Sequence, residues 1–474
     1  MKKILLSTIA ILTLLFTTNI SSKQDNQYIV IAWNDLGMHC SNKDFSSIAV
    51  LPPYNNLYAQ VIKVGNATTM PSVITTDIKV KYEIPGNTYS VGKTNFWTYS
   101  KKLFGVTLAD NIGLKGAGLS GYLNPTGNYF NIEGIPITPY SDSDLVNENP
   151  YQLGLVTVYD NNNNVLATTQ PVIPVSNEIT CVSSGCHTSE NDIISKHGEG
   201  LSIANKPYLC GNCHATNALG TKGNGEAPIF SRAIHSSHST VAKDCYNCHP
   251  GPKTQCFRDA MYKAKKKCTD CHGTMANIAT TIRNGRRPWL DEPTCEMSGC
   301  HASQYAVNAK TLYRNSKGHG GLYCSACHGS PHAILPTVQA NDNVQNNKLQ
   351  GYSGTLDKCE ACHGVVPEGP GPHSIAPSEV KVNKLDDISK NEILQNYPNP
   401  FTGNTQFNFN LIESGFVKLE VLDINGQYLF TGISEYLPTG SFSTNLNFNS
   451  YNNGVYICIL RVNGKSYTKL ISKN

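Results

Sequence analysis

Hydrophobic and polar residues follow different rhythms along this chain. From Gln27 to about Val175 they alternate in short runs: YIVIAW from Tyr28, LYAQVIKV from Leu57, ITTDIKVKYEI from Ile74, and LGLVTVYDNNNNVLATTQPVIPV from Leu153. A period of two sends successive side chains to opposite faces of a pleated strand, and short strands at this spacing predict a β-sandwich-like domain over residues 27–175. The last run reads as a hairpin with an Asn-rich turn. Residues 177–375 lose the rhythm, being rich in Gly, His, Cys and Lys with few apolar runs, so little regular secondary structure is predicted there. Residues 376–391 read as a polar linker. Alternation returns in 392–474, with strands at Thr405–Leu411 and Val417–Leu422, a DINGQ turn, and a final hairpin around Asn463–Gly464: a small all-β unit. At the other end, Lys2 and Lys3 precede an uncharged apolar stretch, Ile4–Phe16, and the run TTNISS, which is the pattern of a secretory signal over residues 1–22. That stretch is too short for a membrane span, and no later segment reaches about 18 uninterrupted apolar residues.

Composition adds the compartment and narrows the partners. Lys+Arg 38 against Asp+Glu 34 leaves a formal charge of +4, too near neutral to indicate nucleic acid or an acidic membrane surface as a partner. The 17 cysteines are the outlier in a chain of 474 residues. They are too many for an ordinary cytosolic enzyme and too sparse for a disulfide miniprotein. All but Cys40 and Cys458 fall between Cys181 and Cys362, which marks a cofactor or metal module inside a larger, multidomain protein.

Within that module five pairs read C-x-x-C-H: Cys210, Cys213 and His214; Cys245, Cys248 and His249; Cys268, Cys271 and His272; Cys324, Cys327 and His328; Cys359, Cys362 and His363. Two more carry a four-residue insert: Cys181, Cys186 and His187, and Cys295, Cys300 and His301. In each, histidine follows the second cysteine at once. Covalent haem attachment needs two thiols to add to two vinyl groups at one haem edge, and the next residue to place an imidazole over the iron. One helical turn does this, and the longer insert can loop out two residues while keeping the contacts. Zinc knuckles also use cysteine pairs, but they do not require a histidine after every pair. The motifs therefore predict seven covalently attached haem c groups.

Two resemblances sharpen the reading. Residues 181–373 resemble the multihaem c-type cytochromes, especially the extracellular ones of metal- and electrode-respiring bacteria, on the seven motifs above. The resemblance implies closely stacked haems, a haem-packed module with little regular secondary structure, and extracellular electron transfer. Spread over these residues, seven haems leave roughly thirty residues or fewer each, too few for an independent core. The last 80 or so residues resemble the C-terminal sorting domain of the type IX secretion system, on the YPNPF opening, Gly426, the segment Gly454–Tyr456 and Lys469. That implies passage across the outer membrane, contact with the type IX machinery, and removal of this domain.

Seven histidines remain beside the seven motif histidines: His39, His197, His235, His238, His319, His332 and His373. If each is a distal ligand, every iron is bis-histidine and closed to substrate, and electron transfer is the function. His235 and His238 need not share an iron. His39 stands far upstream in WNDLGMHC, and either reaches across to the seventh iron, stays local, or ligates a haem of a neighbouring molecule. Met38, Met261, Met275 and Met297 are substitutes for an absent histidine. Cys40 and Cys256 form an even remainder in an exported chain, which points to a disulfide and no free thiol in the mature protein. Between Lys253 and Arg287, Lys/Arg residues 253, 258, 263, 265, 266, 267, 283, 286 and 287 face only Asp259 and Asp270 in number; they read first as neutralising haem propionates, second as a docking patch or anion funnel.

The expectation is a secreted, cell-surface or extracellular heptahaem electron carrier rather than a substrate-converting enzyme, without catalytic residues. Its partners would be redox cytochromes or an outer-membrane electron conduit, an extracellular acceptor, and possible further copies of itself, with the β domain serving for docking. The alternative is an oxidoreductase acting on a small anion of the nitrite, hydroxylamine or sulfur-oxyanion type at one five-coordinate haem.

Overall fold

The computed structural model describes residues 27–198, 200–242, 244–251, 253–287, 294, 311–369, 371–374, 392–393, 396, 399–411, 415–437 and 440–474. The signal segment, the linker 376–391, Met297 and the fifth motif, Cys295–His301, lie outside the described residues.

The predicted sandwich is present. In its first sheet Tyr28–Trp33 runs antiparallel to Asn56–Lys63, with Tyr28 opposite Lys63 and Trp33 opposite Tyr58, and Tyr129–Glu133 extends the sheet. The second sheet runs in the order Val165–Thr169, Leu155–Asp160, Ile78–Glu83, Ser120–Tyr122. Val30, Ala32, Leu57, Ala59 and Val61 from one sheet meet Val80, Tyr82, Val156 and Val158 from the other in a single core. The Asn-rich turn is closed by Asp160, whose Oδ1 accepts from the backbone amides of Asn162 and Asn164 at 2.8 Å.

YIVIAW alternates less cleanly than its neighbours because it has two covered faces. Ile29, Ile31 and Trp33 point away from the sandwich core, yet they are buried with Ile62 against Ala326, with Leu322, Tyr323, Leu349 and Leu356 packed around them. The outer face of the first sheet is thus the floor on which the cysteine-rich region sits. One helix was not legible in the alternation. Phe96–Phe104 buries Phe96, Ser100 and Leu103 on one stripe, and Gly105, at φ 74°, ends it by donating its amide to Lys101 O at 3.0 Å. This helix packs with Phe45, Ala49 and Leu209, the residue before the Cys210 motif.

Across the joint, Arg258 is 1% exposed and makes a two-pronged contact with Asp342, at 2.7 Å through Nε and 2.8 Å through Nη2. Its Nη1 donates to Gly37 O and Cys256 O at 2.7 and 3.1 Å. One member of the Lys253–Arg287 basic stretch is therefore a structural ion pair, not a propionate partner or part of a docking patch. The described residues between 392 and 474 form a second sandwich with strands Asn404–Leu411 and Gly415–Asp423, each within a residue or two of prediction, and a core of Phe407, Phe409, Val417, Leu419, Leu446, Phe448, Leu460 and Val462. Its last hairpin pairs Gly454–Val462 with Lys465–Lys473 through Asn463–Gly464, both at positive φ.

Breaking the Arg258–Asp342 pair from one side strands a buried carboxylate. Arg258→Met is expected to cost about 3–5 kcal/mol in denaturant unfolding, and adding Asp342→Leu to recover most of that loss.

Candidate functional site

The five described short motifs sit on local helical turns, the geometry that covalent haem attachment would need. Cys210–Cys213, Cys268–His272, Cys324–His328 and Glu360–His363 are α-helical, and Cys245–Asn247 is a tighter 3-10 turn. The turn is closed by the histidine amide donating to the carbonyl of the first cysteine: His214 to Cys210 at 3.0 Å, His249 to Cys245 at 2.9 Å, His363 to Cys359 at 2.9 Å. In the long motif His187 makes the same bond to Cys181, at 3.1 Å, across six residues instead of four. The two extra residues bulge out through Gly185, at φ 80°, as expected.

The structure then sorts the histidines. Each of the six described motif histidines faces one spare histidine: His187 faces His238 with ring centres 6.3 Å apart, His214 faces His197 at 6.1 Å, and His249 faces His235 at 6.3 Å. His272 faces His332 at 6.1 Å, His328 faces His373 at 6.0 Å, and His363 faces His319 at 5.9 Å. Aromatic side chains do meet at such distances without any metal. Here, however, all six pairs join a motif histidine to a spare one, and none joins two of a kind. A metal–imidazole bond of about 2 Å, plus roughly 1 Å from nitrogen to ring centre, puts two imidazoles on opposite sides of one ion about 6 Å apart. His235 and His238, on the helix Phe230–His238, serve different partners.

Several of these rings are oriented by an acceptor at Nδ1. His214 reaches Pro228 O at 2.7 Å, His235 reaches Ser231 O at 2.7 Å, His238 reaches Ile234 O at 2.8 Å, and His332 reaches Leu36 O at 3.4 Å. A carbonyl only accepts, so Nδ1 carries the proton and Nε2 keeps its lone pair, the form that binds a metal. Asp192 and Thr355 stand at Nδ1 of His187 and His328, at 3.3 Å each. Burial, then the charges of His235 and His272, push His249 down to about 4, so it is neutral at physiological pH.

His39 is built the other way round. Its Nε2 is taken by Asp35 Oδ1 at 2.8 Å, and its ring lies 6.3 Å from that of Tyr54. Burial works to raise the Asp35 pKa, but the His39 charge and the hydrogen bonds from His39 and Asn56 outweigh it and hold the carboxyl below its usual range. In this arrangement Nε2 of His39 is taken up by a carboxylate within its own turn, and its ring lies against Tyr54. The six described motif histidines do not call on Met38, Met261 or Met275, since each already has an imidazole opposite.

The surroundings fit a large flat apolar cofactor with four metal-binding nitrogens of its own. Among the described residues no group of three or more His, Cys, Asp or Glu converges as a metal site, so two imidazoles per ion would be all the protein supplies. Among the described residues of 177–374 only Ile194, Leu209, Phe257, Ala279, Ile282, Ala326, Ala333 and Leu335 are buried as apolar core, while Ile203, Ile229, Val241 and Val366 are left exposed, Val241 by 68%. Two motif cysteines also lie side by side: the thiols of Cys245 and Cys268 interact, which holds Cys245 below the usual thiol range and Cys268 above it.

The Cys40–Cys256 disulfide is not formed; both are free thiols in this structure. They lie near one another, because Cys40 pairs in parallel with Ser176, and Ser176 Oγ bonds Thr254 Oγ1 at 2.9 Å. Their segments are tied instead by Arg258, which bridges Gly37 and Cys256. The Nδ1 acceptors were not foreseen, as most are backbone carbonyls without a side-chain signature. Asp35 was readable as the residue four before His39.

Residues 395–474 match the family described as a secretion system C-terminal sorting domain. The protein is accordingly exported to the cell surface or beyond and engages the type IX secretion machinery through this domain. No curated protein matches the chain. Among solved structures, dimeric latent PorU from Porphyromonas gingivalis is 11% identical with a TM-score of 0.16, over 94% of this chain and 34% of that one. An FMN-binding beta-glucuronidase from Facaelibacterium prausnitzii L2-6 is 8% identical with a TM-score of 0.15, over 94% and 75%. The chain thus spans about a third of the PorU structure it matches. No helix among the described residues is long and apolar enough to cross a membrane.

Burial holds the Cys256 thiol at about 11 and raises Cys40 further, and alkylation requires the thiolate. In mature protein at pH 8, both are expected to resist iodoacetamide while folded. Unfolding without reductant should expose two alkylatable thiols; modification that appears only after reduction would restore the disulfide.

Proposed function

We propose that residues 181–373 form a multihaem c-type cytochrome module carrying seven haem c groups, and that the protein transfers electrons at or beyond the cell surface. The observation that carries this reading is the sorting of imidazoles: six motif histidines, each facing one spare histidine at the spacing of two ligands on one metal ion. When bound, haem supplies reversible one-electron chemistry at iron. The chain's own residues hold the thioether positions on helical turns, fix Nε2 as the ligand nitrogen, and bring Cys245 against Cys268 so that neighbouring groups are close. The exported location supports attachment outside the cytoplasm and partners such as an outer-membrane electron conduit, a second cytochrome or an extracellular acceptor.

A second reading is favoured by one observation. His39 is committed to Asp35, so the balance of seven motif and seven spare histidines does not close among the described residues. An iron at Cys295–His301 without a histidine opposite would be open to a small anion, and the protein would then be an oxidoreductase. Intact mass of the mature protein is expected to show seven covalent haems. Low-temperature EPR of the oxidised form should give low-spin signals, with no carbon monoxide uptake on reduction. One high-spin iron that binds carbon monoxide would favour the second reading, and absence of covalent haem would remove both.

A further inference from the structure

The β-sandwich was expected to be a docking domain. The residues at its joint with the cysteine-rich region give it a different role, which rests on the haem reading above. His332, opposite His272, has φ 61°, a left-handed conformation uncommon for residues with a side chain, though His adopts it more readily than most. Phe257, Arg258 and His272 flank it from the cysteine-rich region, and the sandwich closes its Nδ1 side. Asn34, buried, folds the turn Asn34–Met38 by accepting the amides of Leu36 and Gly37 at 3.0 and 2.8 Å, and anchors it by donating to Asn56 O at 2.9 Å. From this fixed turn the Leu36 carbonyl faces His332 Nδ1 at 3.4 Å, and Asn34 O accepts the Ser330 hydroxyl at 2.5 Å. Arg258 closes the other side: its amide donates to His332 O at 3.0 Å while its Nη1 holds Gly37 O at 2.7 Å. The approach is so close that a Cβ on Gly37, itself at φ 74°, would stand 1.8 Å from Pro331 O.

His332 is also the ligand that crosses between groups. It follows His328 by four residues in sequence but faces His272, whose own neighbour Cys268 touches Cys245. Its position therefore governs how the haem at Cys268–His272 couples the earlier sites to the later ones. We propose that the turn Asn34–Met38 of the β-sandwich is a positioning element for His332, with Gly37 the residue that permits the contact, so that the sandwich sets the ligation of this one haem.

The test uses the full mature holoprotein with Gly37→Ala, Ser330→Ala and His332→Ala, and Gly86→Ala as a control whose added Cβ meets nothing within 4 Å at a similar φ of 80°. Haem count by intact mass, thermal unfolding, EPR and a potentiometric titration are read for each. His332→Ala identifies the signal of the affected iron by its loss from the low-spin set. Gly37→Ala is expected to keep all seven haems while shifting or losing that same signal and moving one midpoint potential. Ser330→Ala, which adds no clash, should move the same signal by less, and Gly86→Ala should leave it unchanged. A Gly37→Ala spectrum identical to the parent's, or one altered at a different iron, overturns the proposal while the haem count leaves the cytochrome reading standing. Should Gly37→Ala not fold, an unmoved signal in Ser330→Ala overturns it equally. A parent protein without haem overturns both.

Discussion

Strand Tyr28–Trp33 is buried on both faces, and this obliges the segment from Leu322 to Leu356 to stay against the sandwich. A strand in a two-sheet sandwich normally needs apolar residues on one side only. Here the second apolar face would be a liability in water, and covering it holds the Cys324 motif at a fixed height above the sheet. Arg258 and Asp342 add a polar clamp at the far side of the same joint. Buried ion pairs of this kind contribute little net stability, yet they penalise any arrangement in which the partners separate. The joint is therefore specific as well as closed.

The region above the joint is short of conventional core. Its few buried apolar residues lie mostly where it meets the sandwich or along the helix Met275–Arg283. A polypeptide of this composition cannot offset its conformational entropy by apolar burial alone. On the proposed reading the cofactors supply the missing apolar volume, and thioether and axial bonds replace side-chain packing. The exposed Ile203, Ile229, Val241 and Val366 are then residues awaiting a neighbour rather than a solvent surface.

Much of this was legible because the chemistry imposes local spacing. Two cysteines and a histidine within one turn are readable in a string of letters, and so is the alternation of strands such as Asn404–Leu411. What could not be read depends on distant segments meeting. Arg258 looked like one cation among nine until Asp342, 84 positions away, neutralised it. His39 counted as a spare ligand because a tally of histidines carries no information about which nitrogen is already occupied. The helix Phe96–Phe104 escaped because its aromatic, β-branched-like first half resembles a strand, and only packing against Phe45 and Leu209 decides otherwise. The partition of spare histidines among motifs was likewise invisible, although their number was not.

The histidine pairs have an order in time as well as in space. For His214, His249 and His363 the opposite imidazole lies earlier in the chain, at His197, His235 and His319, and is already present when the motif emerges during synthesis and export. For His187, His272 and His328 it lies later, at His238, His332 and His373. A chain delivered from its N-terminus would complete the first set at once and leave the second waiting. The site at Cys268–His272 waits longest, since His332 trails His272 by 60 residues. The longest wait is thus for the ligand that, on the proposal above, the β-sandwich, translated first, positions; the last ligand to emerge is His373, opposite His328.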